Sequence, residues 1–212
     1  MFALLIIILT VAVNFIQPTN ILTVDDVADE LRVSELPRFY FEGNLDNMTS
    51  KQDERGIKVK YVNFDKEFSS YAKIKPQGTS SMMYWKKNYT INLYKDEALE
   101  EKYKVDFGWG AQNKYCLKAN WIDKTHARNI VTARLAADVQ KKYNLFTNTP
   151  HFGTIDGTPV EIYINGEFHG LYTLNIPKDA WMFNMDEENK NHIVLSGNNG
   201  APGNLFTGSA SF

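Results

Sequence analysis

The chain has 212 residues, of which 43% are hydrophobic and 13% aromatic, enough for a sizeable core. Its 23 basic and 25 acidic residues give a net charge of −2, so the composition lacks the basic excess typical of proteins that bind nucleic acid. The single cysteine, Cys116, excludes an internal disulfide and a cluster of metal-binding thiolates. Its apolar neighbours predict a buried, inert thiol.

The N-terminal segment is almost wholly apolar from residue 2 to residue 16. It is shorter than the roughly 20 residues that a membrane-spanning helix needs. We interpret residues 1–20 as a signal peptide or short membrane anchor, and we expect an exported or cell-surface protein with possible membrane attachment through residues 1–16. A buried N-terminal strand or helix is the alternative. Residues 21–36 form a linker, in which residues 24–33 are a candidate short helix.

Short segments with alternating apolar residues predict the first strands of the fold. They lie at residues 36–41, 56–62, 71–75, 88–94 and 115–119. Residues 63–70 are expected to be a connection. Pro76 should end the third strand, because proline cannot donate a hydrogen bond to a neighbouring strand. In the fourth strand Tyr89, Ile91 and Leu93 fall on one face, which should be the inner one.

One long helix is predicted from Asp123, a candidate N-cap, to about Tyr143. Its apolar positions recur at helical spacing: they are Ala127, Ile130, Val131, Leu135 and Val139. Residues 159–174 predict a β-hairpin with Asn165-Gly166 as its two-residue turn. A short helix at residues 179–186 and a strand at residues 192–196 follow. Strands, one helix and further strands predict an α+β fold, with a mainly antiparallel sheet and one long covering helix.

The turn after residue 75 is the first candidate site. Gly78 permits unusual backbone angles, and the hydroxyl groups of Thr79, Ser80 and Ser81 can face an anion. Two lysines, Lys86 and Lys87, precede the next strand, and strand alternation points them to opposite faces. A hydroxyl-rich turn beside one lysine suits a phosphate group. A polar hairpin with two solvated lysines is the alternative.

Three ordered segments resemble the CotH kinase family, the family of spore-coat protein H. They are QGTSSMMYWKKNYTINLY, LKANWIDKTHARNIVTARLA and EIYINGEFHGLYTL, and they fall between residues 73 and 174. The resemblance implies an atypical protein-kinase-like domain over residues 37–212. It also implies ATP and a divalent metal, Mg²⁺ or Mn²⁺, and transfer of the γ-phosphoryl group to serine or threonine of an exported, surface or spore-coat protein.

The resemblance assigns candidate nucleotide-binding residues one by one. They are Gln77, Gly78, Ser80, Ser81, Lys86, Lys87, Asn120, Asp123 and Arg128, together with Asn129. By analogy with other kinases, one lysine holds phosphate oxygens while the turn covers them. Lys87 is preferred because it is in phase with Tyr89, and Lys86 remains the other choice.

The sequence departs from the family pattern at two places. Gln77 stands where the family usually has arginine, so one positive charge is missing near the expected phosphates. The family's metal-binding aspartates belong to a later W-D-[FY]-D-like segment, and residues 197–212 contain nothing similar. The sequence is therefore expected to be inactive as a kinase by itself, either because the C-terminal part of the domain is missing or because the domain is degenerate.

The alternative function is a non-catalytic secreted surface or coat module that binds protein or glycan. Four tryptophans could line a sugar-binding face in such a module, although core and rim packing is the favoured explanation: Trp85, Trp109, Trp121 and Trp181. The four histidines lack the spacing of a zinc site.

Overall fold

The computed structural model describes residues 36–64 and 66–193. The predicted N-terminal segment and the candidate helix at residues 24–33 lie outside these residues, as does most of the strand predicted at 192–196. The strands are β1 (Arg38–Glu42), β2 (Arg55–Asn63), β3 (Lys66–Gln77), β4 (Asn88–Tyr94), β5 (Val105–Asp106), β6 (Ala111–Gln112), β7 (Lys114–Lys118), β8 (Gly157–Ile164) and β9 (Glu167–Asn175). The α-helix α1 spans Arg128–Lys142, and single 3₁₀ turns occur at Ser80–Met83, Pro150–Gly153 and Ala180–Phe183.

Seven of the strands form a closed barrel in the order β1-β2-β3-β4-β7-β9-β8. Six neighbouring pairs are antiparallel, and the parallel pair β1–β8 closes the barrel, with Phe39 opposite Ile162. The predicted kinase-like α+β fold is therefore wrong. The hairpins that join neighbouring strands have local sequence signals, whereas pairing between residues more than 100 positions apart has none. Strand alternation alone cannot distinguish an open sheet from a closed one.

The inward side chains fill the barrel. Ile74 and Ile91 lie opposite one another across β3 and β4, and Leu117 lies opposite Leu174 across β7 and β9; all four are fully buried. The predicted inner face of β4 is confirmed, since Tyr89, Ile91 and Leu93 are buried. Alternation between an apolar inner face and a polar outer face is what gives these segments their strand conformation.

The helix does not cover the barrel as predicted. Of its predicted apolar face only Ile130 is buried, while Val131 is 61% and Leu135 is 64% exposed. The face that packs is shifted from the predicted one: Ile130 and Ala137 are buried. Arg134, one turn after Ile130 on the same side of the helix, places its Nε 2.8 Å from Asp156 Oδ1. Apolar spacing predicts the helix but not the face that packs.

Two strand boundaries also differ from the predictions. β3 begins at Lys66, within the predicted connection, and continues through Pro76 to Gln77. Proline is tolerated there because β2 pairs with β3 only as far as Ile74. No carbonyl group of β2 therefore requires a hydrogen bond from the backbone nitrogen of residue 76. The predicted hairpin at residues 159–174 is confirmed by β8 and β9 with the turn at Asn165-Gly166.

Candidate functional site

The turn between β3 and β4 has the conformation that the sequence predicts for Gly78. Gly78 has φ +124°, and a Cβ atom there would lie 1.8 Å from Ser81 Oγ. A side chain at position 78 is therefore excluded on both steric and conformational grounds. Asn88 Nδ2 donates to Ser81 Oγ over 3.2 Å, which ties the turn to the start of β4.

The two lysines have different surroundings. Lys87 Nζ donates to the carbonyl oxygen of Met82 at 2.6 Å and to that of Tyr84, so its ammonium group holds the 3₁₀ turn together. Lys86 Nζ donates to the carbonyl oxygen of Leu171 and lies 4.3 Å from the ring centroid of Tyr172. Burial lowers the pKa of Lys86 to about 8, because a partly desolvated ammonium is less stable than a hydrated one.

The segment before α1 contributes a second group of polar side chains. Asn120 adopts φ +45°, and its Nδ2 donates to Thr173 Oγ1 of β9 over 2.7 Å. Asn129 Nδ2 donates to Asn120 Oδ1 at 3.3 Å. These contacts place the loop and the first turn of α1 against the outer face of the barrel.

Asp123 holds the start of the helix, although it is not the N-cap residue. Its Oδ2 accepts the Arg128 backbone N–H at 3.0 Å, and its Oδ1 lies 3.5 Å from Arg128 Nη1. A hydrogen bond from the Thr125 hydroxyl is the largest contribution that lowers the pKa of Asp123, and the Arg128 backbone adds to it. The carboxylate is therefore engaged within its own segment.

The turn and the helix-leading segment meet at one cleft of about 560 Å³ on the outer face of β4, β7 and β9. Six of the ten predicted residues line it: Ser81, Lys86, Asn120, Asp123, Arg128 and Asn129. The other four predicted residues are not among the lining residues: Gln77, Gly78, Ser80 and Lys87. The structure thus brings Lys86, rather than the preferred Lys87, to the cleft.

Among the lining residues outside the predicted set, three carry an amide or ammonium group: Asn88, Lys118 and Asn175. Lys118 lies within the LKAN motif, and alternation in β7 places it on the outer face with Cys116, so a register argument could have found it. Asn175 is 4% exposed, and its Oδ1 atom lacks a hydrogen-bond partner among the described residues. An orphaned buried acceptor of this kind suits a bound donor or water.

The lining residues fit phosphate better than a divalent cation. Lys86, Lys118 and Arg128 supply positive charge, and hydroxyl and amide groups supply further donors. Mg²⁺ beside phosphates is held by one or two carboxylates together with waters, and the one carboxylate of the lining set, that of Asp123, is already engaged by Thr125 and Arg128. Within residues 36–64 and 66–193 there is no group of three or more His, Cys, Asp or Glu side chains able to hold a metal ion.

Comparison with known proteins gives one family. No curated protein matches the chain. The family model described as CotH kinase protein matches residues 74–200, which is more than half of the sequence and includes all three motifs. The match confirms the resemblance seen in the sequence, and the chain belongs to the CotH kinase family.

Proposed function

We propose that the cleft binds the phosphate groups of ATP and is the nucleotide-binding part of a CotH-type protein kinase domain. The observation that carries the proposal is the charge in the cleft. Lys86 and Lys118 have no carboxylate partner among the described residues, whereas Asp123 is paired with Arg128. Two ammonium groups without a counter-charge in one cleft favour a polyvalent anion.

Different residues of the cleft would make different contacts with the phosphate groups. Lys86 donates one of its three N–H groups to Leu171, which leaves two for phosphate oxygens and holds the ammonium in place. Asn120 and Asn129 are fixed by mutual contact and by Thr173, so the amides at this end of the cleft are preorganised. Bound ATP would supply the transferable γ-phosphoryl group.

The reaction proposed for the family member is transfer of that group to serine or threonine of an exported, surface or spore-coat protein. Phosphoryl transfer requires a metal ion to neutralise the developing charge. Residues 36–64 and 66–193 contain no group of three or more His, Cys, Asp or Glu side chains that could hold such an ion. For this part of the chain the proposal is therefore nucleotide binding.

Calorimetric titration of the 212-residue chain with ATP, with and without Mg²⁺ or Mn²⁺, tests this proposal. Lys86→Met should weaken binding at least tenfold, since it removes a charged hydrogen-bond donor. Lys142→Met, which changes an exposed lysine of α1 outside the cleft, is the matched control. Equal affinity of the wild type and Lys86→Met for ATP would contradict the proposal.

A second function is favoured by one observation. Trp85 and Trp121 are exposed, and their ring centroids lie 6.5 Å apart beside the cleft. Exposed aromatic rings suit an apolar protein side chain or a sugar ring. A non-catalytic module would bind oligosaccharide or protein through these rings, and Trp85→Ala with Trp121→Ala would abolish that binding while Lys86→Met would leave it unchanged.

We further propose an exported or cell-surface location, with residues 1–20 as a signal peptide or short membrane anchor. The proposal rests on the apolar run at residues 2–16. Among the described residues, no helix is long and apolar enough to span a membrane. Fractionation of cells that express the chain with and without residues 1–20 tests the location: a protein that stays in the cytosol in both forms would contradict it.

A further inference from the structure

Lys118 lies on the floor of the cleft at the end of β7. Its Nζ donates a hydrogen bond to Gln77 Oε1 at the end of β3. Gln77 is held in turn, since its Nε2 lies 3.5 Å from Cys116 Sγ. Gln77 also pairs in register with Asn88, so the contact between Gln77 and Lys118 crosses β4 at one level of the barrel.

The same level carries polar groups from neighbouring strands. Asn88 Oδ1 accepts the Ala119 backbone N–H at 2.8 Å, and Asn88 Nδ2 donates to Ser81. Lys118 pairs in register with Thr173, which accepts from Asn120. The ammonium of Lys118 thus bonds to one neutral side chain, Gln77, at a level of the barrel whose other polar side chains are hydrogen-bonded to each other or to the backbone.

The charge of Lys118 has no counter-charge in the described part of the chain. Its hydrogen-bond acceptor is the neutral amide of Gln77, and it takes part in none of the ion pairs among residues 36–64 and 66–193. A neutral acceptor orients an ammonium group without cancelling its charge. The remaining two N–H groups of Lys118 are available to a ligand in the cleft.

We propose that Lys118 is a second phosphate-binding residue and that Gln77 is the residue that positions it. This inference rests on the proposed function, because it assigns an additional ligand to the same phosphate site. The family resemblance expects arginine at position 77; in this chain that side chain is neutral, and the positive charge beside it is that of Lys118 in the LKAN motif.

Substitutions at each position, singly and together, separate the positioning role of Gln77 from the contribution of the Lys118 charge. Lys118→Met should weaken binding of ATP and of inorganic tripolyphosphate about tenfold or more, and Lys118→Arg should retain most of it. Gln77→Glu keeps the shape but gives Lys118 a counter-charge, so it should weaken binding similarly. In the Lys118→Met background, Gln77→Glu should weaken binding much less than it does in the wild-type background, because its effect acts through Lys118.

Moving the positive charge from position 118 to position 77 gives a rescue experiment. Gln77→Arg in a Lys118→Gln background returns one cation to the same place and should recover at least part of the lost affinity. In the wild-type background, Gln77→Arg sets two cations side by side and should lower thermal stability. The Lys142→Met variant is the control for an unspecific loss of charge, and circular dichroism checks that each variant is folded.

Calorimetry of the full chain with tripolyphosphate and ATP distinguishes the outcomes. If Lys86→Met loses binding while folded Lys118→Met binds both ligands as the wild type does, the role of Lys118 is refuted and the phosphate site stands. If the wild type binds neither ligand, both proposals fall. If Gln77→Glu weakens binding equally with and without Lys118, Lys118 is a ligand of phosphate but Gln77 does not position it.

Discussion

Ile130 of the helix lies against the α-carbon of Gly157 at the start of β8. A Cβ atom at position 157 would lie 2.8 Å from Ile130 Cδ1, 2.7 Å from Asn175 Oδ1 and 2.8 Å from the Leu174 carbonyl oxygen. The absence of a side chain at Gly157 thus allows α1 to approach the outer face of the barrel. Because Asn175 lines the cleft, this contact also sets the distance between the helix and the cleft floor.

Gly157→Ala should therefore destabilise the protein by about 1–3 kcal/mol, the usual cost of adding a methyl group to a packed contact. Urea unfolding of both proteins measures the change. Ile130→Val relieves one of the three close approaches, so the double variant should be more stable than the sum of the single effects predicts. Wild-type stability of Gly157→Ala would show that the helix moves away at no cost.

The strands and the helix could be predicted from the sequence, but their assembly could not. Alternation placed β4 at its observed bounds, and Asn165-Gly166 gave the β8–β9 hairpin, because both signals are local. Closure of the barrel through β1 and β8 depends on pairing distant residues. The side of α1 that packs carries the charged Arg134, which pairs with Asp156, and an apolar pattern cannot indicate such a position.

The candidate site was partly predictable for the same reason. Motif resemblance led to Ser81, Lys86 and Asp123, and the structure places them in one cleft. It could not choose between two adjacent lysines, since the residues after the 3₁₀ turn do not continue the strand alternation of β4. Alternation in β7 could have placed Lys118 on the outer face, whereas Asn175 enters the cleft through the pairing of β7 with β9, which only the assembled barrel defines.

Asp156 anchors α1 through charged hydrogen bonds. Burial raises the pKa of its carboxyl group, but hydrogen bonds from Arg134 at 2.8 Å and from Trp109 at 2.9 Å outweigh burial and leave the pKa below its usual value. Asp156→Asn should cost about 1–3 kcal/mol at pH 7, because it weakens these hydrogen bonds. Denaturant unfolding measures this loss, and Trp109→Phe, which removes one neutral donor, should cost less.

The same carboxylate predicts a dependence of stability on pH. Since the pKa of Asp156 is lower in the folded protein than the ordinary 3.8, the unfolded chain takes up the proton first as the pH falls. Its stabilising contribution is present above about pH 4 and is lost as the pH falls through the folded-state pKa. The difference in unfolding free energy between wild type and Asp156→Asn should shrink on acidification, and a constant difference would contradict this assignment.

Lys87 and Lys86 should respond differently to the same substitution. Lys87→Met removes the donor shared by Met82 and Tyr84, so it should lower the free energy of unfolding by about 1–2 kcal/mol. Lys86→Met removes a partly buried charge. It should lower the free energy of unfolding less than Lys87→Met does and weaken ATP binding more. Paired urea unfolding and calorimetry test this separation. Reversal of the two patterns would transfer the phosphate-binding role to Lys87.

The lowered pKa of Lys86 predicts how ATP binding varies with pH. With a pKa of about 8, the amine is mostly charged at pH 7 and mostly neutral at pH 9. If phosphate binds the ammonium form, affinity should fall about tenfold over this interval, in proportion to the charged fraction. Lys86→Arg stays charged throughout, so it should bind ATP with little change between pH 7 and pH 9. The comparison isolates Lys86 because titration of ATP itself affects both proteins alike, and an equal pH dependence in the two would exclude Lys86 as the titrating ligand.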